Sequence, residues 1–353
     1  MPAAPPSVWQ LRFRRWLLPW LLATAALANL AYPMYVHFDF SHSPDTRSYL
    51  NMAAGRFDSV RVTHRYRVLV PAAAAVIAAP IAKAYARVWP QRPAGLWPLR
   101  FAFYVVNCLL LGAAGACWFN GSRLAGASSQ TAALAMLALL TSRWAEYAAG
   151  LPLTDSLYLL IFGLSYYAVR CGPGGAWALA TALLLGPLAK ESFVFLIPWL
   201  LWFGRPALSW LKQLLALTVG FAALFAVHQL IDSRLGAPTT QSVTNALEHF
   251  QNITYSIQRA ASAKGLGELL SIFGFFTLIP IAAFWQEKSS GKRLLSTPTF
   301  YATLGWAEVS LLLLVAIHML LSGDLGRMGY LAAPVFCAVL ALVFTHWRRL
   351  VKA

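Results

Sequence analysis

The residues best suited to chemistry in this chain lie in one polar segment, 37–67, which separates two apolar stretches. It holds three aspartates, three histidines and five arginines. A link between two helices needs only a handful of residues, so we interpret 37–67 as a folded loop that carries a functional site. Asp45, in SPDTRSYLNMAAG, is the first candidate for a reacting carboxylate, and Arg47 and Tyr49 follow it closely.

Three further polar clusters interrupt apolar sequence at distant points of the chain. They are Asp155 in TDS, the adjacent pair Lys190 and Glu191, and GDLGR near the C-terminus. Ionised groups near lipid cost several kcal/mol unless they are paired, so acids and bases kept there predict pairing or chemistry. The candidate catalytic residues are Asp45 and Asp155. The candidate substrate-binding residues are Arg47, Tyr49, His64, Arg65, Arg67, Lys190, Glu191, Asp324 and Arg327.

Each cluster also has a structural interpretation. Asp45 and Asp155 could each be the N-cap of a helix, a position that aspartate favours. Lys190 and Glu191 could form interfacial salt bridges, and because adjacent residues on a helix do not face each other, two separate partners are expected.

The remaining charged candidates have structural alternatives as well. Asp324 and Arg327, three residues apart, could form a local helical pair. The basic residues of the segment 64–67 could reach the membrane interface with their charged ends, although arginine forks also match phosphate oxygens. Glu308, within an apolar run, is either a functional carboxylate or the partner of a neighbouring helix.

Composition restricts the class of protein. The 353 residues are 59% hydrophobic and only 11% charged, with a mean hydropathy of +0.60, whereas soluble domains are about a quarter charged. The net charge of +16 does not predict nucleic-acid binding, because the basic residues cluster at the ends of apolar runs, as in membrane proteins. The four cysteines have no metal-ligand or redox spacing and are expected to be small buried residues: Cys108, Cys117, Cys171 and Cys337.

The apolar runs predict an all-α, polytopic bundle of about ten membrane spans with both termini in the cytoplasm, because in lipid only helices or closed barrels satisfy their backbone. The first span, 17–36, follows three arginines and is not expected to be cleaved. The whole chain, 1–353, is interpreted as one transmembrane domain with a first extracytoplasmic loop at 37–98 and a second at 232–268. A surface helix is expected around 242–263. The later runs are 68–89, 99–119, 129–142, 152–169, 175–189, 192–204, 212–231, 269–285, 300–321 and 329–345.

The distribution of basic residues places both the loop 37–67 and Asp155 on the extracytoplasmic side of the membrane. Two segments on the same side must be separated by an even number of spans, but three apolar runs lie between these two. We expect 68–89, which Lys83 and Arg87 interrupt, to be a juxtamembrane or re-entrant helix. The alternative is that 68–89 crosses the membrane and a later assignment is wrong.

Four segments in order resemble the C-type glycosyltransferase (GT-C) superfamily of polytopic enzymes that use polyprenyl-phosphate-linked sugars. They are SPDTRSYLNMAAG followed by RYRVLVP, SRWAEYAAGLPLTDSLYLL, GPLAKESFVFLIPWLL and GDLGRMGYLAAPV. Together they extend over most of residues 1–340. The sequence departs from the superfamily pattern in that we expect no large soluble C-terminal domain from it and find no second acid adjacent to Asp45.

The resemblance implies a large first loop with juxtamembrane helices. It implies that Asp45 is the general base toward the acceptor and that Asp155 is the second acidic position. Lys190 and Arg327 would hold the lipid-linked phosphate. The implied partners are a polyprenyl-phosphate sugar donor, membrane lipid and an acceptor of unknown identity. No cofactor is expected, and a divalent metal is not supported because the paired acid is missing.

Other functions are compatible with the same residues. A transporter or flippase for a lipid-linked substrate would depend on Glu308 and would favour internal repeats, which the sequence does not show. A non-catalytic subunit of an envelope-assembly complex would be indifferent to Asp45. The richness in alanine, arginine and leucine suggests a bacterial inner membrane, with the active site facing the periplasm.

Overall fold

A computed structural model describes residues 13–39, 43–236, 252–289 and 304–351, without the side chains of 286–289 and 347–351. Within these ranges the secondary structure is helical and includes no strand. The α-helices are α1 (Leu18–Leu30), α2 (Tyr32–His37), α3 (Pro44–Ala53), α4 (Leu69–Val88), α5 (Trp97–Leu124), α6 (Ser129–Leu140), α7 (Arg143–Gly150), α8 (Asp155–Cys171), α9 (Ala176–Ala189), α10 (Ile197–Phe203), α11 (Trp210–Leu235), α12 (Asn252–Ala260), α13 (Ala263–Phe273), α14 (Leu278–Ser289), α15 (Trp306–Ser322), α16 (Leu325–Gly329) and α17 (Ala333–Val351).

The helices have the length and composition of a membrane protein. In the described part of the chain, 6 helical stretches are long and apolar enough to cross a membrane: Leu69–Val88, Trp97–Leu124, Asp155–Ala189, Trp210–Leu235, Ala263–Trp285 and Leu325–His346. Shorter apolar helices cover Ser129–Leu140, Glu191–Phe203 and Trp306–Ser322. The all-α membrane architecture is therefore confirmed, whereas about ten spans stays a prediction.

One of those stretches is two helices rather than a single long one. Gly172 ends α8 with a φ of 63°, a left-handed conformation that glycine adopts without strain. Lys190, directly after α9, reaches back to Asp155 at the start of α8. Helices α8 and α9 therefore form an antiparallel hairpin whose open end carries both charged residues.

The centre of the bundle is α5, which packs against α1, α4 and α8. Small residues allow close approach between these helices. A Cβ at Gly115 would lie 3.1 Å from the Cβ of Ala23, and one at Gly163 would lie 3.2 Å from the Cβ of Cys117. Three of the four cysteines are buried and Cys171 is half-buried, in agreement with a packing role.

The two ends of the bundle differ in their contacts. Near the start of α5, Arg100 donates to the carbonyl of Tyr35 at 3.3 Å. Near its end, Asn120 donates to the carbonyl of Arg15 at 2.8 Å. We refer to the end that holds Tyr35 and the start of α8 as the site end, and to the end that holds Arg15 as the opposite end.

Helix α4 begins and ends near the site end. It starts two residues after Arg67, which contacts Tyr49 of α3. Its last turn brings the ring of Tyr85 to 5.4 Å from the ring of Trp97, the first residue of α5.

The region interpreted as a second loop, 232–268, is partly helical where it is described. Asp232 and Arg234 belong to the last turns of α11, and Glu268 belongs to α13. The expected surface helix at 242–263 falls partly outside the described residues. Its described part is α12, which ends at Ala260 before Ser262 caps α13.

Candidate functional site

Helix α3 holds Asp45 at the site end. Ser43, not Asp45, is its N-cap, because the Ser43 side chain accepts from the backbone N–H of Thr46 at 3.5 Å. The interpretation of Asp45 as an N-cap is therefore wrong. Asp45 lies in the first turn, where the helix dipole favours a negative charge, and Tyr49 lies one turn later on the same face.

Arg327 is the centre of the charged cluster. Its Nε lies 2.9 Å from Asp324 Oδ2, and its Nη1 lies 3.3 Å from Asp45 Oδ2 and 3.7 Å from Asp155 Oδ2. Asp324 also accepts from the backbone N–H of Arg327 at 3.0 Å and so caps α16. The local pair expected for Asp324 and Arg327 exists, and it is also part of a site assembled from distant segments.

Lys190 and Asp155 form the most buried ion pair of this cluster. The Lys190 Nζ lies 3.3 Å from Asp155 Oδ1, and the two side chains are only 11% and 13% exposed. Asp155 is the first residue of α8, after Thr154 at the N-cap position, so its interpretation as an N-cap is also wrong. Burial lowers the pKa of Lys190, and the charge of Asp155 opposes that shift.

Glu191 has a different partner from Lys190, as expected for adjacent residues. Arg67 donates to both of its carboxylate oxygens, with Nη2 at 2.7 Å from Oε2 and Nε at 3.2 Å from Oε1. The same guanidinium donates from Nη1 to the hydroxyl of Tyr49 at 2.8 Å. The Tyr49 hydroxyl also accepts from Thr154 at 3.4 Å, so this second group of contacts lies directly beside the first.

His64 borders Asp45 as a neutral side chain. Its Nε2 lies 3.7 Å from Asp45 Oδ1, and its ring lies 5.0 Å from the ring of Tyr49. Burial, reinforced by the positive charge of Arg67, lowers the pKa of His64 to about 4. The ring is therefore uncharged at neutral pH and places an apolar wall with a polar edge against the carboxylate.

Two predicted binding residues are not joined to this cluster by any ion pair among the described residues. Arg47 is exposed on α3. Arg65 interacts with Tyr66, whose hydroxyl donates to Asp232 at 2.9 Å. These two arginines are therefore weaker candidates than the residues around Arg327.

Glu308 and two histidines of the apolar runs have structural partners elsewhere. Glu308 is buried and lies 2.8 Å from the Nε of Arg170. Because Arg170 is fifteen residues after Asp155 on α8, this pair lies about 22 Å away along the helix axis. His318 contacts the hydroxyl of Tyr158 at 3.2 Å, and the ring of His228 stacks on that of Tyr66 at 3.4 Å.

Sequence reasoning missed the aromatic wall beside the carboxylates. Trp144, Tyr147 and Tyr158 line a small cavity of about 10 Å³ together with Asp155 and Arg327. That volume is about the room of one water or hydroxyl group. Trp144 and Tyr147 lie in the segment SRWAEYAAGLPLTDSLYLL. In an apolar chain, aromatic residues cannot be told from ordinary core residues by sequence.

The cluster has the means to polarise and deprotonate a substrate. Its seven charged side chains are four carboxylates and three cations: Asp45, Asp155, Glu191, Asp324, Arg67, Lys190 and Arg327. In the described ranges, no group of three or more histidines, cysteines or acids is arranged to hold a metal ion. Searches of protein-family models, curated proteins and solved structures gave no significant match to this chain.

Proposed function

We propose that this chain is an integral-membrane glycosyltransferase of the GT-C type. It moves a sugar from a polyprenyl-phosphate-linked donor to an acceptor hydroxyl on the extracytoplasmic face. The observation that carries the proposal is the convergence of Asp45, Asp155, Lys190 and Arg327 in contacts of 3.3 to 3.7 Å. These four residues come from the four segments that resemble the superfamily.

Asp45 is assigned as the general base because it is the more accessible of the two candidate carboxylates. Its side chain is 29% exposed against 13% for Asp155. Arg327 contacts its Oδ2, whereas the ion-pair partner of Oδ1 among the described residues is His64 at 3.7 Å. Oδ1 is therefore the atom that accepts the proton of the attacking hydroxyl. Asp155 instead orients Lys190 and Arg327.

The cations supply the stabilisation that the leaving phosphate needs. Lys190 and Arg327 share Asp155 as an ion-pair partner, and Arg67, paired with Glu191, lies beside them through the hydrogen bonds of Tyr49. Fixed cations stabilise negative charge that develops in the transition state. The acceptor oxygen bonds to the anomeric carbon, the bond from that carbon to the phosphate oxygen breaks, and the phosphate leaves with the electron pair. This direct displacement inverts the anomeric centre.

The two ends of the bundle support an orientation with the site end outside the cytoplasm. Arg15, Arg123 and Arg170 are at the opposite end, which the positive-inside rule assigns to the cytoplasm. The site end then faces the periplasm of a bacterial inner membrane.

Helix α4, with both ends near the site end, is a juxtamembrane helix of the first loop rather than a span. About ten crossings then leave both termini inside.

The test is transfer by the purified full-length protein with a matched pair of variants. Asp45→Asn removes the base and keeps the shape, whereas Asp58→Asn makes the same change at an exposed acid of the same loop. Labelled polyprenyl-phosphate hexoses and pentoses are the donors, and a membrane glycan extract supplies acceptors. Loss of a general base lowers turnover by about 10²–10⁴-fold, so we expect that loss only in Asp45→Asn.

Two outcomes would contradict the proposal. Equal transfer by both variants would remove Asp45 from the chemistry and would favour a scaffold. No transfer by the wild-type protein from any of these donors, with the fold intact, would favour transport of a lipid-linked substrate.

A further inference from the structure

A second, larger cleft lies behind the aromatic wall of the candidate site. Its volume is about 390 Å³, within the range of ligand pockets, roughly 300–1,000 Å³. Its walls come from α7, α12, α13 and the turn before α16. They include the rings of Trp144, Tyr147 and Tyr255 and the charged groups of Arg143, Arg259 and Asp324.

The cleft shares three residues with the candidate site. Trp144 and Tyr147 line both this cleft and the small cavity at Asp155 and Arg327. Asp324 lines the cleft, and its carboxylate is bonded to Arg327. A molecule in the cleft is therefore separated from the reacting carboxylates by one layer of side chains.

The walls of the cleft are held in place before any ligand binds. Glu268 accepts from Arg259 at 2.7 Å and from the backbone N–H of Gly326 at 3.1 Å, which connects α12 and α13 to α16. The indole of Trp144 donates to Ser271 at 3.2 Å. Walls fixed in this way lower the entropy cost of binding.

The chemistry of the walls matches a carbohydrate. Aromatic rings offer faces to the apolar C–H side of a sugar ring and polar tips to its edge. Carboxylates and guanidinium groups form strong, charge-assisted hydrogen bonds to hydroxyls. Arg143 and Tyr255 are both exposed, so they are accessible to a ligand that enters from the aqueous side.

The position of the cleft relative to the cations indicates that it binds the acceptor and not the donor. Contacts run from Asp324 to Arg327, from Arg327 to Asp155, and from Asp155 to Lys190. The cleft lies at one end of this series and Lys190 at the other. Direct displacement needs the attacking hydroxyl and the departing phosphate on opposite sides of the anomeric carbon.

We propose that the cleft lined by Trp144, Tyr147, Tyr255 and Arg143 binds a sugar ring of the acceptor, next to the part of the acceptor that carries the attacking hydroxyl. This inference rests on the proposed function, since it assigns a substrate class to the same site. The acceptor is a glycan or glycoside that approaches from the aqueous phase, and the lipid-linked donor occupies the side of Lys190.

Direct binding tests the cleft without requiring turnover. The full-length protein in lipid nanodiscs is titrated with a panel of methyl hexosides and pentosides and observed by saturation-transfer NMR. Tyr255→Ala and Arg143→Gln change the cleft. Tyr32→Ala is the matched aromatic control, because Tyr32 is 56% exposed and Tyr255 is 54% exposed. Arg92→Gln, at an exposed loop residue, is the matched arginine control.

We expect at least one glycoside to bind the wild-type protein. Loss of a stacked ring weakens affinity by about 2- to 12-fold, so Tyr255→Ala should weaken binding by that amount, Arg143→Gln should also weaken it, and both controls should bind as the wild type does. Absence of binding by every glycoside, or binding that survives both cleft changes, overturns the proposal.

The Asp45→Asn variant distinguishes failure of the cleft from failure of the enzyme. A normal glycoside affinity together with lost transfer supports both proposals. Unchanged transfer in Asp45→Asn with a binding site that depends on Tyr255 refutes the assigned base and leaves the cleft. Transfer that needs Asp45 while glycoside binding ignores Tyr255 and Arg143 refutes the cleft alone.

Discussion

The pair formed by Lys190 and Asp155 gives the sharpest test of the charged cluster. At an effective dielectric constant of about 20, charges separated by 3.3 Å attract by about 5 kcal/mol. Desolvation opposes that attraction, and loss of one partner of a buried pair costs about 3–5 kcal/mol. Because about a tenth of each side chain is exposed to water, we expect the lower end of that range, about 3 kcal/mol, for Asp155→Asn.

Asp155→Asn and Lys190→Met should lower the free energy of unfolding by different amounts. Asp155→Asn leaves Lys190 with the charges of Arg327 and Arg67 nearby, both of which disfavour its own charge. Lys190→Met leaves Asp155 with Arg327 still at 3.7 Å. The carboxylate therefore keeps a partner, and Lys190→Met should cost only about 1–2 kcal/mol. The double variant should cost about 2 kcal/mol less than the sum of the singles, since neither charge is then left unpaired.

The assay is the equilibrium unfolding of each full-length variant in mixed micelles with increasing dodecyl sulfate. Asp58→Asn is the control for loss of an exposed acid and should change the unfolding free energy by less than about 0.5 kcal/mol. Additive single costs, with a coupling below about 0.5 kcal/mol, would refute the pair. A larger cost for Lys190→Met than for Asp155→Asn would refute the role given to Arg327.

Three further predictions address the surroundings of the site. The pKa of His64 is about 4 in the folded protein against 6.5 in the unfolded chain. As the pH falls, the unfolded chain is therefore protonated at His64 before the folded protein is. Stability should therefore fall by about 2 kcal/mol between pH 8 and pH 5, and His64→Gln should remove that loss in unfolding curves at the two pH values. Gly326→Ala should destabilise the protein by about 1–3 kcal/mol, because a Cβ there would overlap the indole of Trp144; unchanged thermal stability would contradict that packing. Glu308→Gln should destabilise the protein by about 2 kcal/mol through Arg170 and leave transfer intact, whereas lost transfer in a folded variant would contradict a purely structural role for Glu308.

Several site residues were predictable because charge is rare in this chain. Only 12 residues are acidic among 353, and an unpaired charge near lipid is costly. That cost alone marked Asp45, Asp155 and Lys190 for pairing or chemistry. The expectation that Lys190 and Glu191 have separate partners followed from local geometry and is confirmed by the contacts to Asp155 and Arg67.

The identity of the partners could not be predicted in the same way. Arg327 and Asp45 are 282 residues apart, and hydrophobic periodicity describes only neighbours along the chain. The same limit explains why Arg47 and Arg65 looked equivalent to Arg67. All three carry the same charge in the same loop, and only the direction of each side chain in the folded loop separates them.

The sequence by itself determined that the protein is an all-helical membrane protein, because its composition leaves no soluble alternative and the helix satisfies the backbone within the segment. It also determined which polar residues are exceptional. Only the tertiary structure decided which of these polar residues contact each other. It also showed that Glu308 pairs with Arg170 at the opposite end and that Trp144 and Tyr147 border the carboxylates. Contacts between distant helices depend on how their surfaces fit, and that fit is a property of the whole bundle.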